Sequence, residues 1–332
     1  MILSTLLIGN LLLGQAQDKP VTLGRVFKKG EKYTYQVSGK VQEQVREIPL
    51  ETFIPFDEYV DYKFTLEVLE EKVDGIVDLM YRRPEMILTT GETFDKPEVK
   101  KKEAVNMVAQ MEVSPINDLL KIIDKSKDPK KDPKKDPKKP VGKKKIIRLI
   151  ANGKPTQDGA AIIGQFTQTV FQLAMFVGSP DSALDFNPKL PYDEVKPGAT
   201  WKRTVGYSPQ RLSGSSKSAI QRLDFTYTYK GMVEVDGKKF HRVNAALKLE
   251  TDAAEFINQS MGMKPSESGL EHLNLNLVSG IDFDLRPDTF HTQYALAKSE
   301  GGFTINVTGE KKALAEVKIK GKTEMWLKSV TK

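Results

Sequence analysis

The chain has 332 residues, of which 39% are hydrophobic and 29% charged, and it contains no cysteine. This is enough apolar material for one large or two ordinary domains, and the missing cysteine excludes disulfides, thiol catalysis, Cys-based zinc sites and a lipidated Cys. The net charge of +7 resides between Asp124 and Lys145, where eleven Lys accompany four Asp, so the remainder holds 40 basic and 40 acidic residues. A neutral folded surface argues against nucleic-acid binding.

The first sixteen residues predict a signal peptide. Ile2 to Leu13 are mostly apolar, and Gly14-Gln15-Ala16 places small residues at the two positions that a signal peptidase reads. No Lys or Arg precedes the apolar run, so a buried N-terminal strand or helix is the alternative. The run is shorter than the roughly 20 residues of a membrane span. We therefore expect an exported protein of the periplasm, cell envelope or exterior, without a transmembrane segment in the mature chain.

The next segment predicts antiparallel strands. Apolar and polar residues alternate over 33–38 and 62–68, the period of half-buried strands. Val73-Asp74-Gly75 then predicts a hairpin turn, because Asp-Gly accepts the positive φ angles of a tight turn, and a return strand follows over 76–81. A short helix is predicted over 115–124, with Ser114 as its cap.

A lysine-rich insert comes next. Its unit Lys-Asp-Pro-Lys occurs three times in register from Lys127, in "KDPKKDPKKDPKKP". Proline at every fourth position excludes regular helix and interior strand, so we expect residues 125–143 to be disordered. The alternative is an electrostatic tether to an anionic envelope polymer or membrane surface. The residues that would make this contact are Lys130, Lys131, Lys134, Lys135, Lys138 and Lys139.

One long helix is predicted after the insert. The stretch "KKIIRLIANGKPT" first indicates a strand that ends in an Asn-Gly turn. Over 156–177 the apolar residues recur at helical spacing on one broad face, with Gly178 and Pro180 beyond the end. Such a face must be buried, and we expect it to pack on the apolar face of the sheet.

Strand patterns resume in the second half. Alternation over 223–229 leads to a second predicted turn at Val235-Asp236-Gly237 and returns over 243–249. Further strands are predicted over 273–277, 281–285, 290–296, 303–307 and 314–319, and around Trp326. Short turns between such strands indicate antiparallel pairing.

The two halves resemble each other. "FKKGEKY" from Phe27 matches "VKPGATW" from Val195, and "FTLEV" from Phe64 matches "FTYTY" from Phe225, each pair in the same order before a Val-Asp-Gly turn. We interpret this as a loose duplication, with chance similarity as the alternative. The predicted organisation is a signal peptide over 1–16, an N-terminal β half over 17–178 that includes the insert and the long helix, and a structurally continuous C-terminal β half over 179–332.

The predicted fold class is mainly β, a β-rich α+β arrangement. It consists of a large curved antiparallel sheet or half-barrel, with one long apolar helix packed on it and one short helix. Hydrophobic binding fits this architecture, because a helix over a curved sheet can enclose a cavity suited to an acyl chain. An ordinary filled core is the alternative. The predicted cavity-lining residues are Tyr33, Tyr35, Tyr62, Phe64, Phe166, Val170, Phe225 and Tyr227.

No catalytic or metal-binding constellation is evident in the sequence. His241, His272 and His291 lie in separate predicted strands without a third ligand at metal spacing, and strand parity places His272 in solvent and His241 in the interior. Asp282 and Asp284 share a strand face, which fits calcium or acid–base chemistry but also the polar side of an ordinary strand. We predict a non-enzymatic protein without a cofactor or metal; an unrecognised hydrolase-type activity is the alternative.

The order of the elements resembles a family of uncharacterised exported bacterial proteins, a domain of unknown function of planctomycete-type lineages. The resemblance rests on "FKKGEKYTYQVSGKV", "LPYDEVKPGATWKRTV" and "GIDFDLRPDTFHTQYALA". In that family a P-x-x-x-V-K-x-G-x-x-W segment precedes the second set of strands, as Pro191 to Trp201 does here. The resemblance implies export but no activity, and the lipidated cysteine of many members is missing. At greater distance the layout is similar to the open β half-barrel of lipoprotein carriers.

Two functions follow as expectations. The first is an exported protein that binds a hydrophobic or lipid-like ligand in the cell envelope. The second is a structural or adhesive envelope protein that contacts an anionic polymer or membrane surface through the lysine-rich insert.

Overall fold

The computed structural model describes residues 19–47, 52–93, 96–103, 107–126, 150–151, 154–155, 167, 170–177, 187–207, 220–260, 264–309 and 313–332. The strands are β1 Lys32–Glu47, β2 Ile54–Glu71, β3 Val77–Arg83, β4 Met86–Thr93, β5 Lys96–Glu103, β6 Met107–Val113, β7 Leu119–Asp124, β8 Ile150–Ala151, β9 Lys154–Pro155, β10 Thr200–Tyr207, β11 Gln221–Val235, β12 Lys238–Asp252, β13 Leu270–Leu285, β14 Thr292–Val307 and β15 Ala315–Thr331. Two short helices, α1 Ala254–Ser260 and α2 Pro265–Ser268, connect β12 to β13. No helix in the described ranges has the length and apolar character to cross a membrane.

Thirteen strands form one antiparallel sheet. Its order is β10-β11-β12-β13-β14-β15-β1-β2-β3-β6-β7, with β4 on β2 and β5 on β4, while β8 and β9 pair separately. The first strand lies between β2 and β15, so strands from both ends of the chain are neighbours. The expectation of a mainly β fold built on a large antiparallel sheet is confirmed.

Glycines inside the long strands mark close backbone approach. The sequence pattern divides β13, β14 and β15 into two strands each; this division is wrong, because each runs unbroken for 16 or 17 residues. A Cβ at Gly301 would lie 2.2 Å from the backbone oxygen of Asn276, and one at Gly302 would lie 2.3 Å from that of Val317. The glycines therefore admit neighbouring strands and do not end the strands that carry them.

The helix predicted over 115–124 is wrong. Asn117 has a φ of 67°, and the Asp118 amide donates to the Ser114 hydroxyl, so residues 114–118 form a tight turn. The chain then continues as β7, paired with β6. The apolar spacing suits a helix, but the free edge of β6 offers a hydrogen-bonding partner along the whole segment.

The long helix over 156–177 is not confirmed. Helical conformation is described at Thr167 and over Val170–Ala174, and residues 156–166, 168 and 169 lie outside the described residues. The chain leaves the helix before the predicted end, since Phe176 has a φ of 54°.

The sheet curls until its two edges meet. The edge strands β7 and β10 are ten strand spacings apart, which would be about 48 Å in a flat sheet. Yet Arg203 on β10 forms an ion pair with Asp118, the residue before β7. We call this boundary between β7 and β10 the seam.

A short strap, Asn187–Leu190, closes the seam with backbone hydrogen bonds. Its Leu190 amide donates to the Ile116 carbonyl at 3.1 Å, and its Leu190 carbonyl accepts from Arg203 Nη1 at 3.0 Å. The Trp201 indole donates to the Lys189 carbonyl at 2.8 Å. The edges therefore meet through side chains and the strap.

Segment 170–177 lies inside the curl. Ser299 on β14 donates to the Ala174 carbonyl at 2.6 Å, and Tyr207 on β10 donates to the Val177 carbonyl at 3.4 Å. The ring of Phe176 lies 6.1 Å from that of Phe225 on β11. The apolar side chains of segment 170–177 are almost completely buried and fill the middle of the interior.

The matched segments of the two halves share local geometry. The Gly30 amide donates to the Val68 carbonyl at 2.9 Å, and the Gly198 amide donates to the Tyr229 carbonyl at 2.7 Å. Both glycines have a positive φ, 83° and 88°. An irregularity in strand pairing follows Val68 in the first hairpin and Tyr229 in the second. Both hairpins turn at an Asp-Gly pair with positive φ. The correspondence extends to hydrogen bonds; the duplication itself stays a prediction.

We expect Arg203→Met to lower the free energy of unfolding by about 2 kcal/mol, because the partly buried Asp118 and the Leu190 carbonyl both lose a charged donor. Urea denaturation followed by tryptophan fluorescence measures this. Arg82→Met, an exposed arginine on β3, is the matched control. Equal, small losses in the two variants would show that the seam does not depend on Arg203.

Candidate ligand-binding site

The chain before β1 carries an arginine into the interior. Residues alternate along this segment so that Leu23, Arg25 and Phe27 are buried while Val26 is exposed. The Arg25 amide donates to the Pro115 carbonyl at 2.8 Å, and the Val26 amide donates to the Thr289 carbonyl at 3.0 Å. These bonds fix the segment, and the Arg25 side chain is only 4% exposed.

The Arg25 guanidinium is surrounded by neutral groups. Its Nε and Nη2 lie 3.2 and 3.0 Å from His291 Nδ1, and its Nη1 donates to Asn117 Oδ1 at 2.8 Å. The charge also sits 4.6 Å from the ring centre of Phe27. Because Nδ1 accepts from arginine, the His291 proton is on Nε2, which donates to the Val26 carbonyl at 2.7 Å.

Burial keeps His291 neutral. It lowers the pKa of the imidazole to about 2, and the nearby Arg25 charge acts in the same direction. Burial also lowers the pKa of Arg25 itself, yet an arginine stays protonated in proteins. Among the described residues no carboxylate forms an ion pair with Arg25. Within the described part of the chain, this positive charge therefore has no negative partner.

An apolar cleft lies directly beside this charge. We call it the interior cleft; it encloses about 40 Å³. Its polar end is formed by Arg25, Asn117 and Asn187. Its walls are Phe64, Leu66, Leu79, Tyr81, Met111, Val113 and Leu119. The arrangement is amphiphilic, with one cation at the end of an otherwise hydrophobic space.

Two stacked aromatic rings of the interior cleft, Phe64 and Tyr81, continue into a third ring, Tyr35, behind the cleft wall. Tyr35 stacks on Phe64 with ring centres 5.0 Å apart, and Phe64 stacks on Tyr81 at 5.4 Å. The Tyr35 hydroxyl is buried, and in the described part of the chain it has no hydrogen-bond partner. Burial raises the pKa of this hydroxyl, while the Arg25 charge acts to lower it. Tyr35 is thus a neutral donor within electrostatic reach of the guanidinium.

A second cleft of about 460 Å³ follows the seam on the outside. We call it the seam groove. Leu119 lines both the seam groove and the interior cleft, so the two are adjacent. The groove also contains Lys189, whose pKa is lowered to about 8 by burial, against the opposing effect of Asp118. Since β7 and β10 do not pair with each other, the groove is bordered by strand edges that no other described strand covers.

A separate acidic cluster lies farther along β1. Glu43, Asp57 and Glu58 are buried on adjacent strands. Both carboxylate oxygens of Glu43 lack a hydrogen-bond partner among the described residues. Burial, followed by the charges of Glu58 and Asp57, raises the pKa of Glu43 to about 10, so the group is protonated at neutral pH. No group of three or more His, Asp or Glu in the described ranges is arranged to hold a metal ion.

The paired aspartates of β13 are structural. Asp284 is buried and accepts two hydrogen bonds from Arg242 at 2.7 and 2.9 Å. Asp282 is exposed and accepts from Asn244 at 3.1 Å. Asp282 fits the interpretation as the polar side of a strand, whereas Asp284 on the same face is buried in an ion pair with Arg242.

The histidines differ in exposure. His272 is exposed, as parity predicts, and lies 2.6 Å from an Asp252 oxygen. His241 is half-buried and lies 2.6 Å from the Tyr229 hydroxyl. His291 precedes β14 and is fully buried beside Arg25.

The predicted cavity-lining residues that the structure describes are buried, and five of them lie in two aromatic groups. Tyr62 and Tyr35 both lie against Phe64, at 6.3 and 5.0 Å, and Phe225 lies 5.9 Å from Tyr227. Phe64 alone among them lines the interior cleft; Tyr33 packs on Phe27 and His291, and Val170 lies in the core. Phe166 and the six insert lysines lie outside the described residues, so their roles stay predictions.

Sequence reasoning missed Arg25, Asn117 and His291 as a group. A signal for Arg25 is present, because it shares strand parity with Leu23 and Phe27 and so belongs to the buried set. No local signal brings Asn117 and His291 to it, since they lie 92 and 266 residues away.

No family model and no curated protein matches the chain. Among solved structures, similar chains include lipovitellin, in a structure of lipid–protein interactions, at 9% identity over 92% of this chain and a TM-score of 0.43. A putative exported protein with a YmcC-like fold from Bacteroides fragilis shows 7% identity over 94% of this chain and all of its own length, at 0.16. A DUF1329 family protein from Desulfovibrio piger shows 9% identity over 91% of this chain and 87% of its own, at 0.13. The chain spans 26% of the lipovitellin chain. Identities and TM-scores of this size are too low to assign a family or a function.

We expect the stability of Glu43→Gln to rise relative to the parent protein as the pH increases. The folded protein holds the Glu43 proton up to a pKa of about 10, whereas the unfolded chain releases it near the ordinary value of 4.5. The carboxyl group therefore favours folding fully below the lower value and progressively loses this contribution up to the higher one, by at most about 1.4 kcal/mol per pH unit. Urea denaturation of both proteins from pH 5 to 9 measures the difference. A constant difference across this range would contradict the prediction.

Proposed function

We propose that the protein is a non-enzymatic binding protein for a hydrophobic, lipid-like ligand in the cell envelope. The observation that carries the proposal is the position of the amphiphilic interior cleft directly behind the unpaired seam. A ligand can reach apolar surface there without breaking a strand pair, because β7 and β10 share no backbone hydrogen bonds. To enter, the ligand must displace the strap and break the Arg203 contacts.

Leu119 marks the path from solvent to the interior. It lines both clefts, and its neighbour Leu120 in the seam groove is exposed. An apolar chain that follows this path gains about 0.8 kcal/mol for each methylene group removed from water. The gain favours a ligand with a hydrocarbon chain over a polar one.

Room for a longer chain depends on segment 170–177. The interior cleft is small beside the roughly 300–1,000 Å³ of ordinary ligand pockets. Two described side-chain hydrogen bonds, from Ser299 and Tyr207, hold this segment to the sheet; its other described contacts are apolar. A ligand chain that displaced the segment would expose the segment's own apolar side chains, so the full gain per methylene group applies only to the part of the chain that does not displace it.

The chemistry of the interior cleft favours binding over catalysis. Both ring nitrogens of His291 are engaged, and its pKa is too low for a general base near neutral pH. Arg25 and Asn117 are donors and acceptors without a nucleophile beside them in the described residues of the cleft. Location in the envelope is part of the proposal and depends on the predicted signal over 1–16, which lies outside the described residues.

Native mass spectrometry and a fluorescent acyl probe test the proposal. We expect the purified protein to retain a lipid-like species, and the delipidated protein to bind the probe with saturation. The proposal fails if no species co-purifies and the probe shows no saturable binding.

Leu119→Trp tests the path. The larger ring fills the junction of the two clefts, so we expect the probe dissociation constant to rise at least about tenfold. Ile123→Trp, on the same strand and more exposed, is the matched control and should bind like the parent. Equal affinities in all three proteins would remove the seam from the binding path.

A further inference from the structure

The Arg25 charge points to one class of ligand. It is almost completely buried, its described partners are an imidazole, an amide oxygen and an aromatic ring, and no described acid neutralises it. A buried charge is costly without a counter-charge. A fold that stabilised itself alone would be expected to provide an aspartate or glutamate here, as it does at Arg203 and Arg242.

Donors are available for an incoming acceptor. Arginine has five N–H groups, and its Nε, one Nη1 and one Nη2 hydrogen are directed at Asn117 and His291, so one hydrogen on each terminal nitrogen remains. The Tyr35 hydroxyl is a further donor with no partner among the described side chains. The two remaining guanidinium hydrogens match the two oxygens of a planar anion, and the Tyr35 hydroxyl is within electrostatic reach of the guanidinium.

We propose that Arg25 binds the carboxylate of an aliphatic acid whose hydrocarbon chain lies along the apolar walls of the interior cleft. The inference rests on the proposed function and specifies its ligand. A carboxylate balances the single guanidinium charge, whereas a phosphate dianion would leave an unpaired negative charge. The volume of about 40 Å³ suits a head group and its first carbons, and the walls beyond Arg25 offer hydrocarbon without further cations.

The seam groove differs from this site in its charge balance. Arg203 and Lys189 both lie beside Asp118, so these cations already have an acid. The groove therefore serves as the entrance, and Arg25 is the residue that selects the head group.

The experiment compares ligands of equal chain length. Delipidated protein at pH 7.5 is titrated with dodecanoate, dodecanol and dodecyltrimethylammonium, in competition with a neutral fluorescent acyl probe. We expect dodecanoate to bind at least about tenfold more tightly than dodecanol, as a charge-assisted hydrogen bond implies, and the cation to bind most weakly. Arg25→Met should bind acid and alcohol equally. Arg82→Met is the matched control and should keep the preference for the acid.

Each outcome decides the matter. Equal binding of acid and alcohol by the parent protein overturns the carboxylate site but leaves hydrophobic binding in place. Failure of all three ligands and of the probe overturns both proposals. If Arg25→Met does not fold, Tyr35→Phe replaces it, because this hydroxyl has no described protein partner to lose. A reduced preference of Tyr35→Phe for the acid supports the site. An unchanged preference contradicts the role of Tyr35. Inorganic phosphate at millimolar concentration should not displace dodecanoate; displacement would show a general anion site instead.

Discussion

Contact between Arg203 and the strap holds together two strands that lie ten places apart in the sheet. Together with the Trp201 and Leu190 hydrogen bonds, this contact joins the edges; a sheet without such contact would have one apolar face in water. With it, the same face becomes an interior, and the segments around Leu23 and Phe176 gain a place to bury their side chains. The seam is held by side chains and by one backbone hydrogen bond from the strap, and not by pairing of β7 with β10, so it can part without loss of a strand pair. The seam therefore both closes the sheet and offers a ligand access to the interior.

Curling also explains why Arg25 is buried. The arginine enters between elements that a flat sheet would keep apart, since Asn117 belongs to the turn before β7 and His291 to the loop before β14. The neutral imidazole accepts from the guanidinium through one nitrogen and donates through the other, which fixes its tautomer. The hydrogen bonds that the described residues make with this charge are directional, yet none of them supplies a negative charge. The site is ordered without being electrostatically complete.

The alternation of apolar and polar residues predicted the strands well, because the two faces of a strand differ in burial at every residue. The turn at Asp74-Gly75 was predicted from the Asp-Gly pair itself, which accepts the positive φ angles that the turn requires. The alternation divided each of the three long C-terminal strands in two, and within β14 the interruption includes Gly301 and Gly302, where close approach of neighbouring backbone requires glycine.

Reasoning from local sequence patterns failed at β7 and at Arg25 because both depend on residues far away in the sequence. The apolar spacing over 115–124 fits a helix as well as a strand, and the free edge of β6 decides between them. Arg25 was overlooked because charged residues are usually exposed, although its parity with Leu23 indicates burial. Partners 92 and 266 residues away are set by topology, which local patterns do not encode.

The buried charge and the parting seam constrain each other. A guanidinium in an apolar interior destabilises the closed protein unless an anion enters, so the empty protein carries a cost that a ligand removes. Binding to the folded state then adds stability according to ligand concentration over its dissociation constant. Segment 170–177 acts in the opposite sense, because it fills the apolar interior and keeps the empty protein compact. The head group supplies what the segment cannot, a negative charge, while the hydrocarbon chain only replaces apolar contact already present. Selectivity at this site would therefore come from the head group, and chain length would set affinity more gently.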